Sequence, residues 1–225
     1  MHIEPGLVDG AKITLSYATA AAAVGYSVKL VPQTVREQGL VSFALRTAAA
    51  TALVFSFFEL LPHVRVGVSE LHLILGSTLF LLFGAAPAAC GLALGLLAQG
   101  LLFEPADLPQ YGMNVTTLLV PLFAIRALAE RVIPGKSAYV DLRYGQALAL
   151  STAYQSGIVA WVAFWALYGA GFGAQNLASI ASFAASYALV IVVEPLVDLA
   201  VLAAAKSLRD VVAGDLVTRR LHHAA

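Results

Sequence analysis

Charge is what this chain has least of. Asp, Glu, Lys and Arg make up 12% of its 225 residues, about half the share of a soluble domain. Hydrophobic residues reach 60% and the mean hydropathy is +0.84, so the chain belongs in a membrane. Thirteen basic and thirteen acidic residues cancel to a net charge of zero, which removes the basic footprint that a nucleic-acid partner requires. The single cysteine, Cys90, lies inside an apolar run. That excludes a disulfide framework and a cysteine metal cluster, and leaves a small packing residue. No Gly-rich phosphate loop of the Walker type occurs, and the chain is not expected to be an enzyme. No Lys or Arg precedes Lys12 and no apolar core precedes the run 18–23, so no secretory signal is expected. His2 is too bulky for removal of the initiator methionine, and Met1 is expected to remain.

What is present is a series of apolar segments. Spanning the hydrocarbon takes about 20 apolar residues, and the pattern predicts spans near 12–30, 41–61, 70–84, 87–104, 113–131, 146–169 and 175–204. The expected fold is an all-α membrane bundle of about seven transmembrane helices in one domain over 1–225. A segment 1–11 precedes it and a tail 206–225 follows. The third and fourth spans are short and meet between Gly84 and Pro87. The last contains Glu194, Pro195 and Asp198 and is a candidate for a kink or split. Lys29, Arg36, Arg46, Arg126, Arg131, Lys136, Arg143, Lys206, Arg209, Arg219 and Arg220 fall on one side of this scheme, Lys12 and Arg65 on the other. The positive-inside rule then places the N-terminus outside and the C-terminus in the cytoplasm. Gly91 and Gly95, and Ala48 and Ala52, are small residues four apart that suit close helix contacts. The tail reads as a short amphipathic helix with His222 and His223 at a solvated end.

The opening dipeptide carries chemistry. A histidine in second position offers the terminal amine of Met1, its own amide nitrogen and its imidazole Nδ1. These close a five- and a six-membered chelate ring in one plane, which suits Ni(II), Cu(II) or Co(II) better than tetrahedral Zn(II). The same two residues also begin many chains with no such role. Ionisable residues within spans are costly and mark sites or pathways, which singles out His72, two residues after Glu70 in the stretch 67–76. A lone buried histidine is usually a packing residue; beside an outward chelate it supplies the fourth nitrogen. Gln99 and Asn114 are candidates to hydrogen-bond a ligand histidine, or simply to bond between helices. Glu59, His63 and Glu70 read as wet residues of the outer face. Glu194, Asp198 and Arg126 are candidates for a buried charge cluster.

These motifs resemble those of the CbiM/NikM family, the substrate-binding membrane subunits (S components) of cobalt and nickel energy-coupling factor (ECF) transporters. The family begins Met-His-Ile and continues with an acidic, Pro- and Gly-containing stretch, here MHIEPGLVDG. It has a histidine in a Gly-His-Leu-Leu-Gly-Gly-like pattern, here LHLILG around His72. A Gln-Ala-Leu-Leu-Phe motif corresponds to QGLLF from Gln99 to Phe103, and an asparagine follows at Asn114 in YGMN. The resemblance implies a metal bound by Met1, His2 and His72, with Ser69, Gln99 and Asn114 as supporting residues. The chain departs from the family at Thr117, where a second asparagine is usual. It departs also in 67–71, where only Gly67 and Ser69 match a Gly-Gly-Thr-Ser-Gly loop.

The implied function is import of Co2+ or Ni2+, for cobalamin synthesis or metalloenzymes, with no bound organic cofactor. The implied partners are a transmembrane scaffold subunit, ATP-binding cassette ATPases and a small accessory membrane subunit, in a bacterial or archaeal plasma membrane. Two other readings stay open. An ECF subunit for an organic vitamin would need aromatics gathered in a pocket, with Tyr17, Tyr26 and Tyr154 as candidates. An intramembrane serine hydrolase would need Ser69 and His72 within hydrogen-bond reach, for instance on one helix face.

Overall fold

A 50-residue apolar stretch at 1.5 Å per residue would be about 75 Å long, more than twice the hydrocarbon thickness. The computed structural model, which describes residues 3–208 and 214–224, shows how the chain avoids this. Residues Ile13–Glu59 are helical except at Gly39, whose φ of 86° and ψ of 162° only glycine adopts freely. The break makes two helices, α1 (13–38) and α2 (40–59). They run antiparallel. Gln38 and Ser42 at the junction both bond to the tail, at Val217 O and Asp215 O. Ser16 of α1 and Phe58 of α2 both lie near the opposite end.

After α2 come two short antiparallel strands, β1 (Val64–Val66) and β2 (Ser69–Leu71). The helices that follow are α3 (Gly76–Phe83), α4 (Ala85–Leu102), α5 (Tyr111–Val132), α6 (Tyr144–Ala170) and α7 (Ala174–Ser207). Among the described residues five helical segments are long and apolar enough to cross a membrane, the first being the bent 50-residue stretch. The chain is thus a multi-pass, all-α membrane bundle.

The segment predicted as a third span, 70–84, is not one helix. It is strand, then an extended stretch, then the eight residues of α3. At 3.3 Å per extended residue and 1.5 Å per helical one, His72 to Gly84 still covers about 25 Å. Two changes of direction bound α3: Leu75 at φ 55° and Gly84 at φ 84°. Irregular backbone at this depth is tolerated only when enclosed by protein, and seven of the eight residues of α3 are buried.

Two close approaches fix the packing. A Cβ on Gly91 would meet Ala50 Cβ at 2.4 Å, and one on Gly95 would meet Val54 Cγ1 at 2.7 Å. The predicted Gly91/Gly95 contact is therefore made with α2, through Ala50 and Val54 rather than Ala48 and Ala52. At the start of α3, a Cβ on Gly76 would lie 2.0 Å from Tyr154 Cζ, whose side chain is fully buried. Gly76→Ala is expected to destabilise the fold by about 1–3 kcal/mol through overpacking, read as a lowered melting temperature in detergent.

The last helix is continuous from Ala174 to Ser207 with Pro195 inside it, so the expected kink or split does not divide it. The described part of the tail is not a helix but turns and a short 3-10 segment, Arg219–Leu221. It is docked through Thr218 N, which donates to Leu82 O at 2.7 Å, while Arg46 Nη1 of α2 donates to the neighbouring Phe83 O at 2.8 Å. Both acceptors are carbonyls orphaned at the end of α3. His222 is buried against this end rather than solvated, while His223 is exposed.

Candidate metal centre

Positions 66 and 69 pair across a two-residue connection, Gly67 and Val68. Such a tight hairpin needs a residue with positive φ, and Gly67 has φ 63°. Space gives the same answer, because a Cβ there would lie 2.1 Å from Ser179 O. The segment at Ile3 pairs with the edge of this hairpin through a single bridge. Ile3 makes an antiparallel bridge with Ser69, and Glu4 N donates to Val68 O at 3.3 Å. Ile3 N donates to Asn114 Oδ1 at 2.9 Å, and its side chain is fully buried with Val8, Met113 and Trp165. Asn114→Ala removes this acceptor and strands a buried N–H, at an expected cost of about 1–3 kcal/mol. Faster protease cleavage within residues 3–12 would register the release.

Alternation along an extended chain puts residues 70 and 72 on one side. There the Glu70 carboxylate joins two partners: Oε2 lies 3.1 Å from His72 Nε2, and Oε1 accepts from Arg65 Nε at 2.9 Å. Arg65 also lies 4.0 Å from Glu4. Glu70 first, with Glu4 beside it, pushes the exposed Arg65 guanidinium up from its ordinary value. His72 itself is buried, its side chain 1% exposed. The Phe58 ring meets it edge-on at 4.9 Å and His63 stacks on it at 5.1 Å. A histidine that donates Nε2–H to a carboxylate keeps its lone pair on Nδ1, which is how carboxylates orient metal-binding imidazoles.

The predicted residues are therefore only partly gathered. Ser69 and Asn114 meet through Ile3, three residues along the strand from His72 in the case of Ser69. Gln99 is buried near the end of α4, where its main-chain carbonyl accepts from Phe103 and Glu104 N–H. Its Oε1 has no hydrogen-bond partner among the described residues. Thr117 is buried and bonds Met113 O of its own helix. Met1 and His2 lie outside the described residues. Glu70, read as a wet residue, and Arg65 are what sequence reasoning missed; the period-two spacing of Glu70 and His72 was the available signal.

The same strand geometry corrects the hydrolase reading, because Ser69 lies in β2 and not on a helix face with His72. The three tyrosines also sit apart. Tyr17 bonds Pro109 O, Tyr26 accepts from Arg126, and Tyr154 bonds Leu118 O.

A second polar cluster lies deeper, at the N-terminus of α3. Asp198 accepts from the hydroxyls of Ser77, at 2.6 Å, and Thr78. Glu194 accepts from Gln155, which in turn accepts from Tyr187 at 2.7 Å. Both acids are fully buried. Arg126 is not among them: it pairs with Glu130 at 3.5 Å near the other end of the bundle. The acids of α7 meet neutral donors and a helix terminus instead of a guanidinium.

A buried histidine, oriented by a carboxylate at one end of an apolar bundle, marks a multi-pass membrane protein with a polar group set apart at that end. Comparison identifies the kind. The chain belongs to the CbiM family, the cobalt uptake substrate-specific transmembrane region, whose model matches residues 2–211. It is therefore a transport component of the cell membrane, and its cargo is a metal ion. Neither a curated protein nor a solved structure matches the chain.

Proposed function

We propose that this chain is the S component of an ECF-type importer that captures Co2+, with Ni2+ as the competing cargo, and supplies cobalamin synthesis or metalloenzymes. The bound ion would sit on the Met1 amine, the His2 amide and imidazole nitrogens and His72. Ser69 and Asn114 would hold the approach to it, and Gln99 would stand in reserve as a hydrogen-bond partner. ATPases and a membrane scaffold chain, with a small accessory membrane subunit, would supply energy and reorientation. The positive-inside rule supports a hairpin end that faces outward, since Arg46, Arg126, Arg219 and Arg220 share a cavity at the opposite end.

One observation carries the reading: the Ile3 amide is tethered to Asn114, and Ile3 bridges Ser69 on the strand that leads into His72. Whatever precedes Ile3 is bonded to an anchored nitrogen on the hairpin that carries the only buried imidazole at this end among the described residues.

Elemental analysis and calorimetry on untagged protein with an intact Met1 test it. One cobalt per chain is expected, and acetylation of the terminal amine is expected to abolish binding. An acetylated protein that kept full affinity would rule out the chelate. Both the amine and the amide must lose a proton on binding. Affinity is therefore expected to fall with pH, by up to about a hundredfold per unit while two protons are released. Titrations at several pH values would read the slope.

A further inference from the structure

We infer that the cavity at the basic end of the bundle is a binding site for a phosphate-bearing anion, anchored by Arg46. This cavity has a volume of about 560 Å³ and is lined by Arg46, Arg126, Arg219 and Arg220 against Glu37 and Glu130. Among the lining residues four guanidiniums stand against two carboxylates, and Asp215 acts on Arg46 as a third acid, so the cavity keeps a net positive charge that suits the negative charge of a phosphate monoester.

Arg46 gives the site its direction. It is 1% exposed, and a buried charge is costly unless it is paired. Nε donates to Ser42 O at 3.3 Å and Nη1 to Phe83 O at 2.8 Å. These are neutral acceptors, and no carboxylate among the described residues forms an ion pair with it. Nη2 is buried and has no hydrogen-bond partner among the described residues. Arg220 approaches from the tail. It stacks 5.1 Å from the Tyr139 ring centre, Nη2 donates to Pro134 O at 3.4 Å, and Nε is buried without a partner among the described residues. Arg126 is engaged by Tyr26 and Glu130 and adds field rather than free donors.

Arg46 of α2 and Arg220 of the tail thus both line one cavity, and each keeps one buried guanidinium nitrogen without a hydrogen-bond partner among the described residues. A planar carboxylate accepts a fork from one arginine; a tetrahedral phosphate accepts from several directions at once. The volume exceeds that of a bare phosphate and suits a phosphorylated molecule with its polar substituent. A phospholipid headgroup and a soluble phosphate compound share this chemistry. Residues 217–219 hydrogen-bond to Gln38 and Leu82 and Val217 packs into the core, so the ligand would strengthen an existing clamp of the tail on α2 and α3.

The full chain in detergent, metal-free, is titrated with inorganic phosphate against chloride at matched ionic strength. In parallel it is placed in bilayers of zwitterionic lipid with and without phosphatidylglycerol. The expected result is a rise of at least about 3 °C in apparent melting temperature in one arm, lost in Arg46→Gln and reduced in Arg220→Gln. A shift with phosphate alone identifies a soluble ligand; a shift with the anionic lipid alone, with lipid retained in native mass spectra, identifies a headgroup. No shift in either arm overturns the proposal, as does a shift unchanged in Arg220→Gln. That second variant, on the partly exposed tail, decides the matter even when Arg46→Gln fails to fold. None of these readouts depends on cobalt.

Discussion

Replacement of His72 by alanine is expected to lower cobalt affinity by about a hundredfold or more while the protein still folds, because the proposed planar site would lose one of its four nitrogens. The imidazole is held from three sides before any metal arrives: Phe58 at its edge, His63 on its face and Glu70 at Nε2. Little conformational entropy is then lost on binding. The hairpin register depends on backbone pairs of Ile3, Ser69 and Val68, none of which involves the His72 side chain, so a folded variant is expected. Glu70→Gln should give a smaller loss, of about tenfold, since the amide can still meet Nε2 but orients the ring and raises its basicity less well. His63→Ala should change affinity least, as His63 is exposed. Calorimetry with Co2+ and a thermal melt of each apo variant read affinity and folding separately. Full affinity in His72→Ala would move the fourth donor elsewhere.

Asp198→Ala is expected to destabilise the bundle by about 2–4 kcal/mol, one of the larger single effects available in this fold. The carboxylate accepts from both Ser77 and Thr78 at the first turn of α3. Its removal leaves two hydroxyls buried where neither water nor lipid can satisfy them. It also removes negative charge from a helix N-terminus, whose free N–H groups favour an anion. Asp198→Asn keeps one acceptor and should cost about half as much. α3 begins only four residues beyond His72, so loosening its start should also expose the stretch 72–84. Limited proteolysis would report cleavage there in Asp198→Ala and not in the wild type. An unchanged melt would mean that Ser77 and Thr78 find other acceptors.

The residues that could be read without coordinates were those whose meaning is local. Twenty-residue apolar runs, the clustering of arginines at alternate junctions and the pair Gly91/Gly95 each depend on neighbours in the chain. The stretch 70–84 could not be read this way. Its apolar composition suits a span, yet two residues of positive φ and a contact with Ser179, more than a hundred positions away, make it a hairpin and a short helix. The partners of Glu194 and Asp198 were equally hidden. Arg126 looked suitable by charge, but Gln155, Ser77 and Thr78 occupy those positions because α6 and α3 pack against α7 at that level. His222 reads as a solvated end by position, and is buried because the tail folds back beneath α3.

By itself the sequence determined the medium, the helical class and the charged asymmetry of the two ends. These follow from solvation, and solvation sums over composition. It also supplied the letters of the nitrogen chelate and of His72, since donor type belongs to the residue. Tertiary structure alone decided which distant groups meet: Asn114 and Ile3, Asp198 and the start of α3, and Arg46 and the end of α3. Each of these joins elements that a helix length or a strand turn separates. Only packing in three dimensions sets such distances, and hydrogen bonds act over about 3 Å.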